Sequence, residues 1–187
     1  MKRYEESDAH RHGAGKSGGT FYAQDLVSAR EQRRVTVDAS HIVKVEDQVW
    51  EDCPQGRIKH ISHAKLSPHV TAVDAYLQEL PPDGRSGKHR HMAEEFIFFL
   101  EGRGYSLHWD VDLAEMSDAY RWRAADVPLK FEWEAGDWMY VPANTIHQHF
   151  NADGDEPARF LSATSSLYKF LGWHDLEQLE DAPPPGR

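Results

Sequence analysis

The chain has 187 residues, 40% of them hydrophobic, 28% charged and 11% aromatic, which are the proportions of a globular protein with room for one sizeable core. Its 31 acidic side chains outnumber 21 basic ones, for a formal charge of -10, and that field disfavours a nucleic-acid backbone or an anionic membrane surface as partner. Cys53 is the single cysteine, so an internal disulfide and a thiolate metal cluster are both excluded. No stretch is apolar over the roughly 18 residues that a membrane span needs, and the expected location is the cytoplasm.

In chain order, residues 1–20 are polar and glycine-rich and read as a flexible arm. The run from His12 to Ser17 looks briefly like a phosphate loop, but His10 stands where that motif needs its first glycine. Residues 21–34 place Phe21, Tyr22, Leu26, Val27 and Ala29 at a loose helical spacing and predict one short helix. Beyond it, alternation and β-branched runs predict strands at 35–37, 41–50, 57–61 and 70–80. Turn signals at 81–84, 101–104, 135–137 and 152–155 then separate strands at 96–100, 105–110, 138–141, 146–150 and 159–163. Residues 111–128 show no clear period and read as a surface excursion. Residues 173–179 suit one or two helical turns, and a proline-rich tail occupies 181–187. The organisation expected is one all-β domain over 21–180, a sandwich or barrel, between the arm and the tail.

Twelve histidines are the conspicuous excess. In a strand, His89 and His91 project from one face and can reach one ion. Glu95 follows after Met92, Ala93 and Glu94, a spacing that suits a reversal bringing its carboxylate back to the pair. A fourth donor, His147, stands at the start of a later strand, after the turn residues Gly136, Pro142 and Asn144.

Gly84, His89, His91, Glu95 and Gly102, then Gly136, Pro142, Asn144, His147 and Asn151, strongly resemble the two motifs of the cupin superfamily. The likeness implies a single cupin β-barrel, a double-stranded β-helix or jelly roll, with a short N-terminal helix and a short C-terminal one. It also implies that His89, His91, Glu95 and His147 hold one divalent metal ion per subunit. Two positions depart from the usual pattern: Gly84 is one residue closer to His89, and Asn144 replaces a glycine, a change that asparagine's tolerance of the left-handed backbone allows. Three imidazoles and one carboxylate suit iron(II) foremost, with manganese, nickel, cobalt and zinc as alternatives.

Other candidates are assigned from strand parity and residue type. Glu94 is a candidate acid or base if it turns inward, although a strand residue beside an inward ligand normally points away. His149 shares the parity of His147 and is either part of the site or a hydrogen-bonded interior histidine. Tyr76, Phe99, Trp109, Trp138 and Tyr140, with Trp133, are candidate pocket walls for a flat or apolar substrate, or else core filling. If Glu95 points inward, so do Ile97 and Phe99, leaving Phe96, Phe98 and Leu100 on an outer face that the N-terminal segment, the helix at 21–34 or a second subunit must cover. Cupins commonly dimerise through such a surface, so a homodimer is expected. Three functions stay open. In order of preference they are an iron(II) dioxygenase of small aromatic or diketone-like molecules, a metal-dependent isomerase, lyase or decarboxylase, and a non-catalytic module that binds a small molecule.

Overall fold

The computed structural model describes residues 21–38, 41–67, 72–115 and 120–184; the arm at 1–20 and the tail's end at 185–187 lie outside them. The chain divides into two units, 1–39 and 40–187. In the first, the expected helix runs from Phe21 to Asp38. It carries through 35–37, where a strand was expected. Two valines in a three-residue run cost only a few tenths of a kcal/mol each against an established helix, and extending a helix is far easier than starting a strand without a partner.

The second unit contains the strands β1 (Glu51–Cys53), β2 (Gly56–Ser62), β3 (Val73–Leu80), β4 (Lys88–Arg90), β5 (Glu95–Glu101), β6 (Arg103–Trp109), β7 (Val111–Glu115), β8 (Tyr120–Ala124), β9 (Leu129–Glu134), β10 (Trp138–Val141), β11 (Ile146–Asn151), β12 (Ala158–Ser165) and β13 (Glu177–Glu180). One antiparallel sheet has the order β1-β2-β3-β12-β5-β10, the other β13-β4-β11-β6-β9, and β7 and β8 form a separate hairpin. No helix of the described residues is long and apolar enough to cross a membrane.

Alternation decides what faces inward. Along β5, Glu95, Ile97 and Phe99 are buried while Phe96 is 50% and Leu100 42% exposed. The core gathers Leu80, Ile97, Phe99, Trp133, Val141, Ala158 and Phe160, with Met139 packed against it. Phe99 of one sheet stacks on Trp133 of the other at 4.0 Å between ring centroids. Burying side chains of this size is worth about 1.5–3 kcal/mol each. The interior beyond this apolar floor is histidine-rich. Gly102 takes the turn into β6 at φ 83°, and a Cβ there would stand 2.8 Å from the Ala158 Cβ, so glycine is required on both counts.

Three further expectations are corrected. Residues 41–50 form a 3-10 turn at Val45–Asp47, not a strand; the first ladder starts at Glu51, where β1 can pair with β2. Residues 111–128 contain the β7–β8 hairpin, in which Leu113 faces Trp122 and Asp112 faces Arg123. Each arm is five residues long, too short for its alternation to stand out. Residues 173–179 hold no helix; the short C-terminal helix lies earlier, at Leu167–Phe170, and residues 177–180 form β13, which pairs with β4.

Candidate metal centre

His89 sits in β4 directly opposite His147 of β11. His91 follows just past the end of β4, and its carbonyl accepts the backbone N–H of Asn144 at 2.8 Å. Glu95 opens β5 in the facing sheet. The four side chains are between 0% and 6% exposed, and one ligand atom from each lies within 4.8 Å of all the others.

Backbone carbonyls set the direction of the rings. His91 Nδ1 is 2.7 Å from Ala93 O and His147 Nδ1 is 2.9 Å from Thr145 O. A carbonyl only accepts, so both Nδ1 atoms carry hydrogen and the Nε2 lone pairs face inward. His89 Nδ1 makes a longer approach, 3.5 Å, to Gly87 O. Among the described residues, the Nε2 atoms of His89 and His147 are buried with no hydrogen-bond partner. Glu95 Oε2 lies 3.1 Å from His147 Nε2 and 3.3 Å from His91 Nε2. Imidazole lone pairs so close to a carboxylate oxygen repel unless a proton or a metal ion lies between them. Donors each about 2.1 Å from an ion and at right angles stand about 3 Å apart, so the donor set fits a metal ion.

The other carboxylate oxygen, Glu95 Oε1, accepts hydrogen bonds from Tyr76 Oη at 3.3 Å and from Ser162 Oγ. Burial pushes the Glu95 carboxyl up, but the imidazoles of His147 and His91 beside it outweigh this and hold it well below the usual carboxylate range. Burial drives His89 well down. In His91, burial lowers the pKa but the adjacent Glu95 carboxylate more than reverses it. Burial lowers His108 to about 4 and His149 to about 3. Both are neutral at neutral pH.

The structure places the remaining candidates as follows. Glu94 is exposed and accepts the Tyr140 hydroxyl at 2.7 Å. His149 lies one inward position along β11 from His147, bonded through Nδ1 to Ser106 Oγ at 2.7 Å and 5.1 Å from the Phe160 ring. Ser106 Oγ also accepts Trp133 Nε1–H at 3.1 Å. Phe99 and Trp133 belong to the core, Tyr76 reaches Glu95, and Trp109 carries the Lys88 ammonium 4.0 Å from its ring centre. Trp138 pairs with Phe98 at 4.9 Å and Tyr140 with Phe96 at 5.4 Å. Arg90, between the two ligand histidines, bonds Asn144, Asp175 and Glu177 and does not enter the donor cluster. Asn144 has φ 63°, as its replacement of a glycine demands. Burial raises the Cys53 thiol pKa, so the residue is an unreactive one.

Sequence reasoning passed over Ser162 and His108. Ser162 is brought to Glu95 by the β12–β5 ladder, and His108 stands opposite His147 across β6 and β11. Only the register reveals either neighbour.

A family described as auxin binding protein matches residues 34–169, well over half of the chain. Ribosomal oxygenase 2 of Bos taurus is 28% identical over 166 residues, covering 86% of this chain and 33% of that protein. Among solved structures, an oxalate decarboxylase of Lactobacillus farciminis superposes with a TM-score of 0.53 at 22% identity, over 72% of this chain and 34% of its own. Oxalate decarboxylase of Bacillus subtilis gives 0.54 at 18% identity, over 72% and 30%. This chain spans about a third of the length of each of these proteins.

Proposed function

We propose that this chain, which belongs to the auxin-binding-protein family within the cupin superfamily, is an iron(II) dioxygenase cleaving a small aromatic or diketone-like substrate. The observation that carries the reading is the convergence of His89, His91, Glu95 and His147 within 4.8 Å, with the inward Nε2 atoms of His89 and His147 making no hydrogen bond among the described residues. A bound iron(II) would supply coordination positions for an organic oxygen donor and dioxygen side by side. The name of the ribosomal oxygenase relative supports oxygenase chemistry at such a site, without naming this substrate class.

The chain's own residues do the positioning. Ala93 and Thr145 carbonyls fix two rings in the tautomer that presents Nε2. Tyr76 and Ser162 hold Glu95 Oε1, leaving Oε2 to face the imidazoles. Phe99, Phe160 and Ile97 close the floor beneath and exclude water from that side. Neutral His108 and His149 place no extra positive charge beside the cluster.

The family's description favours a second reading, a cupin that binds an aromatic acid without turnover. Oxygen uptake by anaerobically iron-loaded protein over catechols, dihydroxybenzoates and diketones separates the two. Consumption coupled to substrate loss is expected; binding without consumption by any member would move the assignment to the binding module. We further propose a cytoplasmic location and a second copy over the outer face of β5 and β10.

A further inference from the structure

A cavity of about 390 Å³ opens between β9 and β10, the outermost strands of their respective sheets. Its walls include Phe131, Trp133 and Met139, with the carboxylates of Glu132 and Asp137 nearby. Both acids are engaged: Glu132 by Lys130 at 2.9 Å and Asp137 by the Glu134 N–H at 2.9 Å. The cavity also touches His108, which is 4% exposed and whose Nε2 has no hydrogen-bond partner among the described residues. His108 is not one of the four clustered donors. Its ring centre lies 6.3 Å from that of His147 and 5.0 Å from that of Phe131. A buried imidazole nitrogen without a partner costs free energy, which the oxygen of a bound ligand would relieve.

We propose that the substrate enters through this cavity and that His108 Nε2 hydrogen-bonds an oxygen of it while the apolar walls hold its ring. The size admits one substituted aromatic ring, within the usual range of organic ligand sites. Phe131 and Met139 offer it a face and a polarisable edge. The acids at the walls oppose a multiply charged anion, so the class is a neutral or singly charged hydroxylated aromatic. The inference rests on the metal-centred reading above and assigns the recognition residue that reading lacks.

The probe is 4-nitrocatechol, titrated by calorimetry into full-length protein loaded with redox-inert zinc, with metal content measured on every variant. Wild type is expected to bind it. His108→Phe, which keeps the ring volume, should weaken binding about tenfold, the value of one hydrogen bond, with one metal per chain retained. Phe131→Ala, at a half-exposed position that tolerates truncation, should weaken it as well. Unchanged affinity in both variants overturns the proposal, as does loss of metal in His108→Phe, which would make His108 a ligand. Wild type that holds metal but ignores the probe overturns the substrate class. Wild type that holds no metal defeats the metal-centred reading itself, and the inference with it.

Discussion

Arg90 donates from Nη1 to the Asn144 side-chain oxygen across 2.6 Å, so the end of β4, between the first two ligand histidines, is bolted to the turn preceding the fourth ligand. The same guanidinium bonds Asp175 at 2.9 Å and Glu177 at 2.8 Å. Asn144 therefore does two things: it adopts φ 63°, and it anchors a buried cation. Asn144→Gly keeps the first and loses the second; Asn144→Ala loses both. Urea unfolding should show Asn144→Ala destabilised by about 2–4 kcal/mol, and Asn144→Gly by about 1–2 kcal/mol less than that. Equal losses would show that the backbone conformation is unimportant.

The hydroxyls of Tyr76 and Ser162 fix which oxygen Glu95 presents. Tyr76→Phe and Ser162→Ala should each lower metal affinity by about 10- to 100-fold without unfolding the chain, as loss of groups that orient a ligand usually does. Chelator competition reads the affinity, and near-ultraviolet circular dichroism the fold. His91→Ala and His147→Ala should lose the metal outright. Full stoichiometry in either would remove that residue from the donor set.

His149 makes stability depend on pH in a defined window. Burial lowers it to about 3 from an ordinary value of 6.5. Between those values the unfolded chain takes up a proton that the folded chain refuses. Its contribution is complete above pH 6.5 and drains as pH falls toward 3, by about 1.4 kcal/mol per pH unit. Unfolding free energies from urea titrations at pH 7 and pH 5 should differ by about 2 kcal/mol from this group, among other contributions, and His149→Gln should shrink the difference. A variant with the wild-type difference would exclude His149 as its source.

The outer face of β5 and β10 carries two aromatic pairs, Phe96 with Tyr140 and Phe98 with Trp138, and Trp138 is 68% exposed. A contiguous patch of this kind marks an interaction surface. With the second copy proposed above, sedimentation at micromolar concentration should give a dimer, and Trp138→Glu should give a monomer that still binds metal. A monomeric wild type rejects this surface as a self-interface.

The residues that declare themselves in the sequence are those whose spacing is local. His89, His91 and Glu95 are close in the chain, and the reversal between them has a legible length. Inward and outward parity along β5 follows from alternation alone, and Asn144 was readable as a left-handed position because a glycine is expected there. What stayed hidden depends on register between distant strands. Ser162 reaches Glu95 across the β12–β5 ladder and His108 meets His147 across β6 and β11; neither has any sequence neighbour to betray it. β13 was misread because four residues, three of them exposed, show no apolar alternation. Its strand character comes from pairing with β4.

That pairing has a temporal side. Gln178 sits beside His89 in the ladder and Thr164 of β12 beside Glu95, so the strands carrying the first donors are flanked by segments translated about ninety and about seventy residues later. A nascent chain exposing His89 has neither β11 nor β13 beside it, and the four donors come together only after His147 and its strand have been made.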